Sequence, residues 1–420
     1  MSEPIVTPRE LNRATLARQL LLPRQRRPSP PGPSPTSTPQ RAGPGPAPRD
    51  AAVVAAVERI AGLQSQDSRA AAVGLWTRLP GLCREQLARL LLRRVLVKGT
   101  LMRATQHLVS AADYLVLRPA LQPTLTRWAE AALRRRAPGF ELAELAAAPR
   151  PFFDEPHSAS ELRRYLHELH PEADAEGMAT ALRIHLPLVQ VPVERALWGV
   201  PGNPAFMNAD SWLGLAIPSA AGPGALIVRY VAAFGPARVA DIQQWSGMAR
   251  LGGEVERLRR QLRVARDRQG RELLDLPRAA RPPAGSPAPP LFLPAWDSTL
   301  LAYADRTRVV PEALREPIYL ADRLIGPAVL VDGFAAATWT IERESGARTV
   351  VIRPLVALAD EAAFTRPTTA SKSVSEQGRM VAVMATMPSR TDGSSRQRVM
   401  LDTKDRRNPL HRRIAWPGRS

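Results

Sequence analysis

Hydrophobic and polar positions recur along this chain in a repeating order. The clearest copy runs from residue 224 to 277. There GALIVRYVAAFG predicts a short amphipathic helix closed by Gly235 and Pro236, and ARVADIQQWSG a second helix that offers Ala240, Ile242 and Trp245 to a core. LGGEVERLRRQLRVA supplies a third, with Val255, Leu258 and Leu262 at helical spacing. RDRQGRELLDLP then places a glycine-containing turn between strand-like residues, the pattern of a β-hairpin. Three helices followed by a hairpin predict a winged helix. The third helix of that architecture commonly enters a DNA major groove, and here it carries Arg257, Arg259, Arg260 and Arg263.

An earlier copy spans 158 to 199. SASELRRYL begins with Ser158 and Glu161 at capping-box spacing, and ALRIHLPLVQVPVERALWG alternates and turns like a wing. A first copy has helices in PRELNRATLARQLLL, AAVVAAVERIAGL and CREQLARLLLRR, with RVLVKGTLMRATQHLVS as its hairpin. Residues 291–357 differ: short apolar runs punctuated by Gly, Asp and Pro predict a small β-rich, barrel-like domain. The expected fold is therefore α+β, with tandem winged-helix modules at 1–109, 110–200 and 201–285 and a β-rich domain at 286–360. Two stretches stand outside it. Residues 23–48 hold ten prolines in 26 positions, too few apolar groups to bury a core, and read as a flexible insertion in the first module. Residues 361–420 read as a disordered tail; from Arg366 onward they carry 12 Lys plus Arg against 4 Asp plus Glu, either a solvated end or a source of sequence-independent phosphate contacts.

Charge adds a partner to this picture. The formal net charge is +19, which favours a polyanion such as DNA. Of the 58 basic residues only 3 are lysine, and 42 prolines and 26 glycines accompany them, so part of the basicity fits the codon usage of a GC-rich genome. One cysteine, Cys83, excludes an intramolecular disulfide framework and a multi-cysteine zinc site. No stretch approaches the roughly 18 apolar residues of a membrane span, and the amino terminus lacks a signal-like apolar core. The expectation is a soluble cytoplasmic, nucleoid-associated protein that binds double-stranded DNA as a monomer, without a membrane, metal or small-molecule cofactor. A phosphate-binding glycine loop, a His-Glu-x-x-His pair and a nucleophile elbow are all missing from the sequence, which removes support for nucleotide hydrolysis, zinc proteolysis and acyl hydrolysis.

Five segments make the reading specific: GLQSQDSRAAAVGLWTRL, LMRATQHLVSAADYLVLRPAL, RYVAAFGPARVADIQQWSG, LPAWDSTLLAYADR and LVDGFAAATW. In this order and spacing, over roughly residues 8 to 360, the chain resembles the AlkZ/YcaQ-type winged-helix DNA glycosylases. That resemblance implies a C-shaped arrangement of three winged helices with a carboxyl-terminal β-barrel. It also implies a monofunctional DNA glycosylase, a hydrolase of N-glycosyl bonds that removes bulky alkylated purines and in some members acts on interstrand crosslinks. The family's catalytic Gln-x-Gln, Gln-x-Asp in a sister branch, matches Gln64 and Gln66. A carboxamide offers an acceptor oxygen and a donor NH₂, so two of them can orient a water without being strong bases. Glycosidic cleavage passes through an oxocarbenium-like state, and a normal base needs protonation to leave. A 7-alkylguanine already carries positive charge and departs without that help. The alternative is a non-catalytic winged-helix DNA-binding protein, such as a transcription regulator, that keeps only the fold.

Around the glutamines several residues carry two readings. Asp67 is either a general base or the N-cap of the helix that follows. Arg103, Thr105 and His107 would alternate along one strand and share a face, with Arg103 and Thr105 available to phosphate, and His107 either near the sugar or a structural histidine. Ala104 and Gln106 stand where the family usually has Gly and Leu, and a Cβ at residue 104 is awkward if φ there is positive. Trp198 is a candidate wedge or stacking surface, while Trp245 and Trp339 fall within apolar runs and read as core. Asp297 and Arg306 form either an internal ion pair or a DNA-facing group. The expected DNA contacts are thus Arg103, Thr105, His107, Trp198, Arg259, Arg263 and Arg306.

Overall fold

The computed structural model describes residues 4–23, 48–79, 81–196, 199–320, 324–344, 347–356 and 397–401. The Pro-rich insertion lies outside them, apart from Pro23 and Pro48, as does the expected tail apart from 397–401.

Thr7 opens the Pro8–Arg18 helix with a capping box, its hydroxyl accepting from the Glu10 N–H while the Glu10 carboxylate accepts from the Thr7 N–H at 2.7 Å. This helix was expected to be the first of the first module. It packs chiefly elsewhere: Leu16 and Leu21 share a core with Leu293, Leu300 and Leu330, and Val6 and Leu11 share one with Ala265 and Leu273. Ile5–Val6 pair in parallel with Arg266 and Asp267. The reason is polar. Arg18 forms a two-pronged ion pair with Asp275 at 2.8 and 3.1 Å, and Asn12 Nδ2 donates to the carbonyls of Arg308 and Gly333. A face that buries Asn12, Arg13, Thr15 and Arg18 must find acceptors, and the carboxyl-terminal half supplies them.

Helices Pro48–Arg59, Ser68–Arg78 and Arg84–Leu92 share a core built on Val57, Leu75, Leu87 and Leu90, and lead into an antiparallel hairpin of Leu96–Thr100 and Gln106–Ser110. That hairpin is the middle of a six-stranded antiparallel sheet, flanked by Leu63–Gln64 on one side and by Leu188–Gln190, Ala205–Asn208 and His157–Ser158 on the other. One sheet therefore runs across the expected boundary at 109/110. Gly99 permits the joint, because a Cβ there would sit 2.8 Å from the Tyr114 ring and 2.9 Å from the Leu188 carbonyl. The Ala111–Arg136 helix, capped by Ser110, packs on the Ala175–His185 helix. The capping box at Ser158 and Glu161 is present. The expected wing is shorter than its sequence pattern, since ALRIH belongs to a helix capped by Asp174, and the strand starts only at Leu188.

The third copy forms helices Gly224–Phe234, Val239–Ser246 and Gly252–Leu258 and the hairpin Arg263–Asp267 with Glu272–Asp275. Its third helix is shorter than expected: it ends at Leu258, a 3-10 turn covers Arg259–Gln261, and Arg263 is already on a strand. Tyr230, Phe234, Trp245 and Tyr303 cluster at its core, with the Tyr303 hydroxyl donating to the Phe234 carbonyl. Trp339 is also a core residue, its indole N–H donating to the Leu293 carbonyl. Strands Leu291–Leu293, Ala328–Val331, Phe334–Glu344, Ala347–Pro354 and Gln397–Leu401 form a five-stranded sheet in that order. Among the described residues the first and last strands do not pair, and no closed barrel is found there. Gln397–Leu401, expected as part of a disordered tail, pairs in parallel with Arg348–Ile352, because Ala347–Pro354 otherwise leaves a row of unpaired backbone groups at the edge.

A buried ion pair ties the helices of the first copy to the carboxyl-terminal part. Arg78 donates to both oxygens of Asp297 at 2.8 Å, to Thr299 Oγ1 at 3.1 Å and to the Gln19 carbonyl at 3.0 Å. Asp297 is thereby settled as an internal partner, though not of Arg306, and it also caps the Ser298–Leu301 turn. Burial pushes the Asp297 carboxyl up, but the Arg78 charge and the hydrogen bonds from Arg78 and Thr299 outweigh this and leave it below its ordinary value of 3.8. Replacing Arg78 by Met strands a buried carboxylate and is expected to cost about 3–5 kcal/mol of unfolding free energy. The double variant Arg78→Met/Asp297→Leu should lose less than the sum of the single losses. The carboxylate's contribution is complete above pH 3.8 and is lost as pH falls through its lowered folded value, which urea unfolding at pH 7 and pH 3 will read.

Candidate active site

Gln64 lies on the two-residue strand Leu63–Gln64, opposite His107, with 7% of its surface exposed. Its Oε1 accepts from Arg103 Nη2 at 2.7 Å. Gln66, two residues on and exposed, accepts at Oε1 from the Gln106 backbone N–H at 3.0 Å, and between them the Ser65 N–H donates to the Gln106 carbonyl at 2.7 Å. Arginine and a backbone N–H can only donate, so both amide orientations are fixed: each oxygen is turned to the hairpin and keeps one further lone pair. Asp67 is the N-cap of the Ser68–Arg78 helix, accepting from the Arg69 N–H at 2.8 Å and paired with the Arg69 guanidinium. The cap reading holds, and this carboxylate is already engaged.

Arg103, Thr105 and His107 do not share one strand. Arg103 and Ala104 form the hairpin turn with φ of 55° each, and the strand begins only at Gln106. The left-handed Ala104 is the strained position that the missing family glycine foreshadows. Thr105 Oγ1 donates to the Met102 carbonyl at 2.9 Å, inside the turn. His107 is 1% exposed; its Nδ1 lies 3.0 Å from the Thr105 carbonyl, so Nδ1 carries the hydrogen, and Nε2 has no hydrogen-bond partner among the described residues. Burial, with the Arg103 charge, pushes its pKa down to about 3 against the bond to Thr105. It is a neutral buried ring and not a surface DNA contact.

The sequence model described as "DNA glycosylase AlkZ-like" matches residues 57–379. The chain belongs to that family. Among solved structures, "Streptomyces sahachiroi DNA glycosylase AlkZ" is similar in fold, with a TM-score of 0.62 at 19% identity over 84% of this chain and 91% of that one. Among curated protein sequences none matches. The AlkZ-like chain is thus a glycosylase-family enzyme, and Gln64, Gln66 and the hairpin facing them all fall within the matched residues.

The other expected contacts of this AlkZ-like protein are dispersed. Arg306 is half-buried with its guanidinium 4.2 Å from the Tyr319 ring centre, and with burial its charge lowers Arg103 to about 10. Arg263 is exposed on the third copy's hairpin, whereas Arg259 is held by Glu272 at 2.7 Å and Glu256 at 3.2 Å. Trp198 lies outside the described residues. Sequence reasoning missed Lys98, a buried lysine on the hairpin whose Nζ donates to Ser68 Oγ at 2.8 Å. Burial pushes Lys98 down to about 8 against the Asp67 charge. Its signal was available, as one of 3 lysines in a chain that otherwise uses arginine, and the one among the described residues. Among the described residues no group of His, Cys, Asp and Glu is placed to hold a metal, and no helix is long and apolar enough to cross a membrane.

The His107 ring should show no titration between pH 5 and pH 8 in histidine NMR spectra. A free histidine takes its proton near pH 6.5, so unfolded chains bind it first. The resulting stability is present above pH 6.5 and declines as pH falls from there toward 3. A ring that titrates between pH 5.5 and 7.5 would show it to be open to solvent.

Proposed function

We propose that this glycosylase hydrolyses the N-glycosidic bond of cationic alkylated purines, such as 7-alkylguanine, in double-stranded DNA, with the attacking water positioned by Gln64 and Gln66. The observation that carries this reading is the pair of neutral carboxamides one residue apart, each oxygen anchored by an obligate donor and each left with a lone pair for water. Such a pair orients water without strongly activating it, so turnover requires a base that leaves unaided. A purine already alkylated at N7 does so, because its departure neutralises a charge that it carries before the bond breaks. Undamaged purines lack that advantage, and selectivity resides partly in the substrate.

Binding follows from the rest of the chain. We read the three helix-and-hairpin units as winged-helix modules in which basic side chains, Arg263 among them, meet phosphate, and the net charge of +19 supplies long-range attraction. Three modules in one chain can surround a duplex without dimerisation, so the acting species in this proposal is a monomer, and a surface of this kind admits a crosslinked duplex as well as a single lesion.

Single-turnover base release from duplex DNA containing 7-methylguanine tests the reading. Wild type should release the base, and Gln64→Ala or Gln66→Ala, once shown to be folded, should lower the rate by about 10²-fold or more, as expected for misplacing a reacting group. No release by a folded wild type that binds DNA at one sharply footprinted sequence would replace the enzyme by a regulator.

A further inference from the structure

Arg103 was expected to face DNA phosphate, and its surroundings give it another task. It and Ala104 are consecutive non-glycine residues in the left-handed region, a conformation that persists only where the surroundings over-determine it. What holds Arg103 there is its guanidinium. Nη2 donates to Gln64 Oε1 at 2.7 Å and Nη1 donates to the Trp245 carbonyl. Trp245 lies in the last turn of the Val239–Ser246 helix, where backbone carbonyls have no partner within the helix and carry the negative end of its dipole. The helix end is pressed against the turn: a Cβ on Gly247 would lie 2.5 Å from the Trp128 ring and 3.3 Å from the Arg103 Cα. Among the described residues no carboxylate pairs with Arg103, and the neighbouring charge is that of Arg306, of like sign.

We infer that Arg103 is a positioning residue for the reaction: braced on the carboxyl end of the Val239–Ser246 helix, it fixes the Gln64 carboxamide and so links the third helix-and-hairpin unit to the glutamine pair. Gln66 is held by a backbone N–H, which cannot swing away. Gln64 is held by a side chain, so its orientation depends on the turn and on the helix behind it. Two of the five guanidinium donors are engaged by Gln64 and Trp245, which turns the fork toward the protein interior. A neutral residue here would leave the Gln64 oxygen free to rotate and its amide free to flip.

The kinetic part of this inference rests on the glycosylase reading, and its structural part does not. Arg103→Gly suits the left-handed backbone and removes only the side chain; Arg103→Lys retains the charge but cannot fork. In protein labelled with ¹⁵N-glutamine, the Gln64 side-chain amide, assigned by its loss in Gln64→Ala, should be ordered in wild type and mobile in Arg103→Gly. Base release at saturating DNA should fall about 10²-fold in Arg103→Gly and little less in Arg103→Lys. Duplex affinity and its salt slope should be unchanged, and added methylguanidinium should restore part of the rate to the glycine variant. An ordered Gln64 amide in folded Arg103→Gly overturns the inference. So does a weaker affinity with a salt slope reduced by about one phosphate contact and an unchanged saturated rate. A wild type that releases no base, yet loses Gln64 order in Arg103→Gly, would defeat the proposed function and leave the positioning role standing.

Discussion

The candidate site depends on one strand being paired on both edges. Gln106–Ser110 takes Leu63–Gln64 on one side and Leu96–Thr100 on the other, which sets Gln64, His107 and Gly99 in a single row across the sheet. Register in an antiparallel sheet is unforgiving, since a one-residue slip turns every side chain to the opposite face. With the row fixed, the turn that joins the hairpin projects Arg103 at Gln64, and the strand's first N–H meets Gln66.

Charge is buried in two ways in this interior. Arg78 meets Asp297 and Arg18 meets Asp275 with matching geometry, whereas Arg118 is held by Gln122 and the His185 carbonyl, and Arg308 by the Pro236 carbonyl and the Tyr303 ring. Around the glutamines Arg103 leans on a helix carbonyl, Arg306 on an aromatic ring and Lys98 on a serine hydroxyl. Among the described residues none of these three cations forms an ion pair with a carboxylate, although the Asp67 charge acts on Lys98.

Local signals were legible where local physics decides. The capping box at Ser158, the Asp67 cap, the helices and hairpin of the third copy and the core positions of Trp245 and Trp339 follow from spacing and side-chain type, and each is formed. The Gln-x-Gln pair was legible through family resemblance, because glutamine carries no chemistry that stands out in composition. The strand placement of Arg103 was wrong because a period-two pattern does not reveal where a hairpin turns, and the turn occurs at residues whose left-handed backbone neither arginine nor alanine advertises. Whether the carboxyl-terminal strands close on one another was not legible, because closure is a relation between first and last strands, and a list of apolar runs does not contain it.

The sequence by itself determined many element types, the caps at Asp67 and Ser158, the basic character and the family resemblance, because these rest on interactions within a few residues or on composition. Tertiary structure alone decided the partners. It sent the Pro8–Arg18 helix to the far end of the chain, joined two expected modules in one sheet and spent Asp297 on Arg78. It also turned Arg103 inward to Gln64 and the Trp245 carbonyl. The physical reason is common to all of these: a buried polar group must be satisfied, the satisfying group lies tens to hundreds of residues away, and only the folded chain brings it within hydrogen-bond reach.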